Sequence, residues 1–322
     1  MKYNTIIIDA NNLYTRNYSV YKKQVFKNRH GETLLTGAIY GFLRSIQKIE
    51  RELLLEGGTL YIVFDNAHSQ DKLRKEIDPA YKSNRKKKDP IFYKNLETLQ
   101  YLLLNYKDNY KIVYRSFYEA DDLVKPIILN SSSEDFTLLV SEDQDWARLI
   151  DYDNRVIHWY AKDTVFDKET YKEHYQYTPT ESNITMWKTF RGDDSDHIPV
   201  GVEGIRSSTL FQLMHDFKDV FDILQNIDSI NYLTSIIREK IVANKARLRL
   251  NHQLVSFTTI GKEEIKQFIY TCEWNKNVLE VIYKSLGFDI VDIDKRYSID
   301  APTATMTTDP DEFFKAIPIK RL

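Results

Sequence analysis

Five stretches of this 322-residue chain carry carboxylates that could hold metal ions if the fold brings them to one crevice. They are Asp9, Asp65, the run Glu119-Ala120-Asp121-Asp122, the pair Asp143 and Asp145, and the run Asp193-Asp194-Ser195-Asp196. Any one of them has a plainer reading. Acids that open a helix complement its dipole, and acids in loops are usually just solvated. Together they differ, because so many like charges in one crevice need raised pKa values or bound cations. Hard oxygen donors select Mg²⁺ or Mn²⁺ over zinc. Two such ions, roughly 3.5–4 Å apart, form the clamp used for in-line hydrolysis of a phosphodiester. Other chemistries find little support. The chain has no Gly-x-x-x-x-Gly-Lys loop, no Gly-x-Gly-x-x-Gly turn, no His-Glu-x-x-His pair and no Gly-x-Ser-x-Gly elbow. Its seven histidines are scattered.

The elements that must position these acids are legible as apolar runs. Thr5-Ile6-Ile7-Ile8-Asp9, Leu60 to Asp65, and Phe136 to Val140 leading to Asp143 are short and rich in β-branched or aromatic residues. Such runs read as buried strands of a parallel sheet. Between the first two, Leu35, Ile39, Phe42, Leu43, Ile46, Ile49, Leu53 and Leu54 recur at helical spacing, and Gly57-Gly58 is expected to stop that helix. A second helix is expected from about Phe92 to Tyr106, then a strand at Lys111 to Arg115, then a helix opening near Glu119 that Pro126 should kink. Alternating strands and helices indicate an α/β fold, whose ligand crevice lies beyond the carboxyl ends of the strands. From about Met186 to Asp289 the pattern changes to helices joined by short loops. Residues 297–322 hold three prolines and a Thr-rich run and read as a poorly ordered tail.

Composition bounds the class. With 42% hydrophobic and 29% charged residues, no apolar run of roughly 20 residues, no signal-peptide pattern and one cysteine, Cys272, a cytoplasmic protein away from membranes is expected. The net charge of -2 conceals a basic stretch from Lys72 to Lys88, with eight basic residues against two acids. A basic stripe beside an acidic pocket suits a polyanion held while metal ions act on it, although a solvated charged face has the same composition.

The ordered set of motifs is more specific than any one of them. IIIDANNLYTR at 6–16, the segment from His30 through AIYGF at 38–42, VFD at 63–65, YKSNR at 81–85, EADDLV at 119–124, SEDQDW at 141–146 and RGDDSDHIPVGVEGI at 191–205 follow one another. From Ile6 to about Val255 the chain resembles the flap endonuclease, or 5′-nuclease, family. It is most similar to the enzymes of tailed phages, and is also similar to the 5′-nuclease domains of bacterial family A DNA polymerases. The resemblance implies a PIN-like parallel-sheet nuclease domain over 1–185 with a basic arch at about 66–95. A helical duplex-binding domain with a helix–three-turn–helix would follow over 186–296, and a tail over 297–322.

For the site, the resemblance implies that Asp9, Asp65, Glu119, Asp121, Asp122 and Asp143 surround one metal ion, and Asp143, Asp145, Asp193 and Asp196 the other. Asp194 and Glu142 read as auxiliary or solvated. Mg²⁺ would be the ion, with Mn²⁺ able to substitute. K⁺ would sit at the helix–three-turn–helix, where Gly201 and Gly204 permit close approach of backbone to phosphate. Lys82 and Arg85 match phosphate-contacting, catalytic positions of the arch, Tyr81 would stack on a base near the cut, and Arg16 and Arg74 would contact nucleic acid. Two departures stand out. Arg206-Ser207-Ser208 replaces the family's Gly-x-Lys, leaving Arg206 as the phosphate contact, and Val200 resembles a one-residue insertion.

The implied reaction is hydrolysis at a single-strand/duplex junction of branched or 5′-ended DNA, or of an RNA–DNA hybrid, in primer or flap removal during replication. The alternatives are a PIN-type single-strand ribonuclease and a catalytically silent protein that binds branched DNA. The tail segment Phe313-Phe314-Lys315-Ala316-Ile317-Pro318 would suit docking to a replication partner, although such tails more often stay disordered or pack on their own domain.

Overall fold

A computed structural model of the chain describes residues 2–27, 30, 31, 33–65, 73–131, 135–152, 156–161 and 164–288. The chain opens with β1 (Tyr3–Asp9), α1 (Ala10–Tyr21), a short hairpin of β2 (Phe26–Lys27) and β3 (Thr33–Leu34), α2 (Gly37–Leu53) and β4 (Leu54–Val63). It continues through α3 (Leu73–Ile77), α4 (Pro90–Leu104), β5 (Tyr110–Val113), α5 (Ala120–Asn130) and β6 (Thr137–Val140). A 3₁₀ segment (Gln144–Tyr152), β7 (Val156–Ala161), β8 (Thr164–Phe166) and α6 (Lys168–Tyr175) follow.

The strands form one seven-stranded sheet in the order β8-β7-β6-β1-β4-β5, ending on an edge strand, β9 (Ile269–Thr271). Pairings from β7 through β5 are parallel, and the two edges are antiparallel. Ile6, Ile7, Ile8, Leu60, Ile62 and Val63 are fully enclosed, which is why these strands read as unbroken apolar runs rather than alternating ones. One face packs on α1, α2 and α4, through Leu13, Phe42 and Leu99. The other packs on α5 and the 3₁₀ segment, through Leu123, Ile127, Trp146 and Leu149. With β1 flanked by β4 and β6, chain direction through the sheet reverses there, and the crevice opens beyond the ends of these three strands.

Two expectations need correction. The helix ends at Leu53, before Gly57-Gly58, and β4 runs through both glycines. They form a bulge instead of a stop: Leu54 faces Tyr3 but Thr59 faces Thr5, so the extra residues must loop out, and Gly57 takes φ +78°. Pro126, where a kink was expected, lies inside α5, which continues through it to Asn130.

The second correction concerns the C-terminal half. Helices α7 (Glu181–Arg191), α8 (Ser207–Asp216), α9 (Val220–Gln225), α10 (Ser235–Ala243) and α11 (Lys245–Val255) share a core around Phe190, Ile205, Leu213 and Leu248. The helical run then breaks: β9 returns to pair with β5, and α12 (Lys276–Leu286) packs Leu279, Ile282 and Leu286 into the core of the α/β part. Among the described residues no helix is long and apolar enough to cross a membrane. The tail at 297–322 and its Phe313-Phe314 segment lie outside the described residues.

Candidate active site

The carboxylates reach the crevice because strand ends and helix starts are tied to one another. Asp9 closes β1 and caps α1, its Oδ1 accepting from the Asn12 N–H at 2.9 Å. Asp65, two residues past β4, accepts from the Ala120 N–H at 2.8 Å and so fixes the start of α5 beside the sheet. Past β6, the Ser141 hydroxyl donates to Asp9 Oδ2 at 2.9 Å and accepts from the Asp143 N–H at 3.0 Å, joining two strand ends through one oxygen. The Trp146 indole N–H, wholly buried, donates to Asp121 Oδ1 at 2.6 Å.

Carboxylate oxygens of Asp121, Asp143 and Asp145 consequently lie within 4.8 Å of one another. Burial, and then the neighbouring Asp143 and Asp145, push the Asp121 pKa far up. Asp9 rises to about 7 through burial, with Asp121 and Asp65 adding repulsion. Asp143 also rises to about 7, through burial and Asp145. Like charges packed this closely disfavour full ionisation of the group unless a cation compensates them. The residues fit a divalent cation: three oxygen donors converge, and among the described residues no histidine or cysteine shares their cluster to favour a softer metal.

Two lysines that bridge from opposite sides complete the electrostatics. Lys188 on α7 contacts both Asp145 and Asp193, the latter at 2.6 Å. Burial pushes Asp145 upward, but Arg148 and Lys188 overcome it and hold this carboxyl well below the usual range. Lys82 lies 2.9 Å from Glu119 and 3.6 Å from Asp196, and Arg85 meets Asp196 at 2.5 Å. Burial would lower the Lys82 pKa, but Glu119, then Tyr81 and Asp196, raise it well above an ordinary lysine. Lys82 has φ +55°, uncommon for a residue with a side chain, and its N–H donates to the Asp196 carbonyl at 2.8 Å. The base of the basic segment is therefore clamped onto the acidic turn at 193–198.

The structure separates three residues from the roles expected of them. Arg74 does not face solvent: it is 6% exposed, pairs with Asp122 at 2.8 Å, and donates to the Leu254 and Ser256 carbonyls. Four of its five N–H donors are bonded there and Nη1 lies 3.4 Å from Glu119, so this buried guanidinium faces the protein rather than a phosphate. Asp122 faces Arg74 rather than the crevice, and its oxygens also accept from the Thr258 and Glu119 N–H groups. It is thereby removed from the metal-binding set. Tyr81 is 2% exposed, with its hydroxyl 3.1 Å from both Glu119 and Asp196, so its ring offers no face to a base. Lys86, Lys87 and Lys88 are exposed, as a solvated stretch would be. Arg16 pairs with Glu142 at 3.1 Å.

The 192–206 loop joins α7 to α8. Gly201 is there by necessity, because a Cβ would run into the Thr189 carbonyl oxygen. Gly204 takes φ +77°, and the Lys240 ammonium caps the neighbouring Glu203 carbonyl at 3.0 Å. Arg206 is exposed at the N-terminal cap of α8. Lys188, Arg148, Trp146 and Ser141 are site residues that motif reasoning passed over. The available signal was adjacency to acids for Trp146 and Ser141, while Lys188 is one lysine on a helix, five residues before Asp193.

Residues 4–176 match the family described as 5′-3′ exonuclease, N-terminal resolvase-like domain. A 5′-3′ exonuclease of Mycoplasmopsis pulmonis is 27% identical over 87% of this chain and 89% of its own length. DNA polymerase I of Caldicellulosiruptor bescii is 28% identical over 88% of this chain, which spans only 32% of that polymerase. The fold is shared with the flap endonuclease of bacteriophage T5, solved with DNA and metal ions, at a TM-score of 0.61 and 20% identity. That alignment covers 86% of this chain and 98% of the phage protein.

Proposed function

The chain belongs to the 5′-3′ exonuclease family, and from that premise we propose a divalent-metal-dependent 5′ nuclease that cuts DNA near single-strand/duplex junctions. The observation that carries the proposal is the convergence of Asp121, Asp143 and Asp145 at the carboxyl ends of the parallel strands. Around them stand Asp9, Asp65 and Glu119 on one side, and Asp193 and Asp196 on the other. These eight residues would hold two Mg²⁺ ions, which supply an activated water and charge stabilisation at the leaving oxygen. Mn²⁺, with the same preference for oxygen donors, would substitute.

The chain's own groups do the rest. Ser141 and Trp146 orient Asp9, Asp143 and Asp121, so that the ligand oxygens are preorganised. Lys82 and Arg85 place positive charge beside Glu119 and Asp196, where they can meet the negative charge that grows on the reacting phosphate. Arg16, Arg206 and the exposed backbone around Gly204 offer phosphate contacts for the duplex, with K⁺ as a further ligand of that loop. The exposed Lys245, Arg247 and Arg249 on α11 extend the basic surface. RNA–DNA hybrids, a replication role in primer or flap removal, and a partner for the tail follow from the same reading.

The test compares flap, nicked, blunt and RNA-primed duplexes, in Mg²⁺ and in Ca²⁺. Cleavage of flap or nicked substrate in Mg²⁺, with binding alone in Ca²⁺, is expected. Binding without cleavage under every condition would favour the catalytically silent alternative.

A further inference from the structure

At the amino ends of β1, β4 and β5, the edge of the sheet opposite the carboxylates, lies a cavity of about 490 Å³. The last turns of α2 form one wall, and the bulge that opens β4 forms another. Most of its charges are already matched. Lys107, 8% exposed, pairs with Glu50 at 2.5 Å, and the Tyr110 hydroxyl donates to the same carboxylate at 2.9 Å. Arg51 meets Glu52 at 3.2 Å. Lys2 donates to the Arg51 carbonyl at 3.2 Å, in the closing turn of α2, where unpaired carbonyls favour a cation. Arg44 is the exception. Its guanidinium is half-buried, its enclosed Nε has no hydrogen-bond partner, and no carboxylate pairs with it among the described residues.

The cavity lies within the roughly 300–1,000 Å³ typical of small-molecule sites. A donor kept from water and left unbonded is costly, and the arginine fork matches a pair of oxygens on one anion. Arg44 stands well before the closing turn of α2, so the negative end of the helix dipole does not bear on it. Lys2 and Arg44 together leave two positive charges without a carboxylate, and the remaining acid of the lining, Glu56, is exposed and screened by solvent. Two uncommitted cations favour a dianion over a monocarboxylate. Leu54 and Leu55, the latter 39% exposed, give the same cavity an apolar strip against which an organic group can lie. We propose that this cavity is a binding site for a small phosphate monoester, its phosphate on Arg44 and its organic part on Leu54 and Leu55. The site is separate from the metal-binding carboxylates, since Lys2 stands before the first residue of β1 and Asp9 closes that strand at its other end. It does not depend on the nuclease reading above.

The test is calorimetric titration of the full chain with phenyl phosphate, inorganic phosphate and benzoate at matched ionic strength. The buffer is freed of metal, so that the acidic crevice repels a free anion. Phenyl phosphate is expected to bind at one site, at least about three-fold more tightly than inorganic phosphate because of its buried ring, and benzoate more weakly than either. Arg44→Met should weaken both phosphates by about ten-fold or more, and Leu55→Ala should weaken phenyl phosphate alone. Because Arg44 is half-buried, a second measurement uses the wild-type fold. In protein carrying isotope-labelled arginine, the Arg44 Nε–H resonance, assigned by its loss in Arg44→Lys, is expected to shift with phenyl phosphate. A flap duplex in Ca²⁺ should leave that resonance in place. A resonance indifferent to phenyl phosphate, benzoate binding as tightly as phenyl phosphate, or Arg44→Met binding both phosphates as the wild type does would overturn the site. A resonance moved by the duplex would overturn the free ligand in favour of nucleic-acid phosphates.

Discussion

The Arg74 guanidinium meets both oxygens of the Asp122 carboxylate at 2.8 Å, and both side chains are buried. Together with its bonds to the Leu254 and Ser256 carbonyls, the pair joins α3, α5 and the end of α11 at one point. A cation in a basic stretch is thus part of the frame beneath the site. Removing it leaves Asp122 charged and without its main counter-ion. Arg74→Met is expected to destabilise the protein by about 3–5 kcal/mol, read from the shift in urea midpoint. A variant of wild-type stability that instead binds duplex more weakly would return Arg74 to the nucleic-acid surface.

Asp145 stands where the two halves of the site meet, within reach of Asp121 and Asp143 and paired with Lys188. Asp145→Asn should slow single-turnover cleavage by at least about a hundred-fold, while flap affinity in Ca²⁺ changes by less than about three-fold. Near-normal turnover in Mg²⁺ would remove Asp145 from the metal-binding group.

Lys82 and Lys87 lie five residues apart in the same basic run, yet one is enclosed between Glu119 and Asp196 and the other is exposed. Lys82→Ala is expected to lower the cleavage rate far more than the affinity, since its charge acts at the reacting phosphate. Lys87→Ala should weaken binding slightly and spare the rate. Both belong on one flap substrate with enzyme in excess. Equal, small effects on rate would reduce the whole segment to a solvated face.

The raised carboxyls give stability an unusual dependence on pH when metal is chelated. Asp9 and Asp143 titrate near 7 in the folded chain, through burial and their acidic neighbours, but near 4 once unfolded. Between those values the folded state binds more protons, so stability falls as pH rises through that window. His158, lowered to about 4 by burial, acts in the opposite direction between about 4 and 6.5. A difference measurement isolates the carboxyl. In chelator, Asp143→Asn should gain on the wild type by on the order of 2 kcal/mol between about pH 5 and pH 8. A constant gap in urea stability would show that Asp143 is already ionised throughout.

Gly201 and Gly204 lie in one loop but resist substitution for different reasons. An added Cβ at Gly201 meets backbone, whereas at Gly204 it meets only the Lys240 ammonium at 3.4 Å and a positive φ. Gly204→Ala is expected to cost about 1 kcal/mol, and Gly201→Ala substantially more together with a loss of duplex affinity. Thermal unfolding and a binding isotherm for each variant decide it.

What could be read from sequence was whatever depended on local pattern. Asp9, Asp65 and Asp143 announced themselves because a strand buried on both faces must be apolar throughout, so an acid just past its end is conspicuous. β9 was hidden: three residues carry no periodicity, and their pairing is decided by the free edge of β5, more than 150 residues earlier. Arg74 was misplaced for a related reason. Charge is visible in a sequence, but the partner that neutralises it, Asp122, lies 48 positions away. Lys188, a single basic residue on a helix, gave no sign that it would stand between two acids.

The return of β9 to the sheet has a consequence for how the two halves of the site find each other. Asp193 and Asp196 sit just past α7, while Asp143 and Asp145 sit just past β6, and the helical segment between α6 and β9 is fastened to the same sheet at both ends. A segment on one tether explores a sphere, but one held at two points is confined to rocking about the line between them. The effective concentration of one set of carboxylates around the other is therefore high and set by covalent geometry. Little translational freedom remains to be lost when an ion draws them together, so the chain itself has met most of the entropic cost of assembling the site.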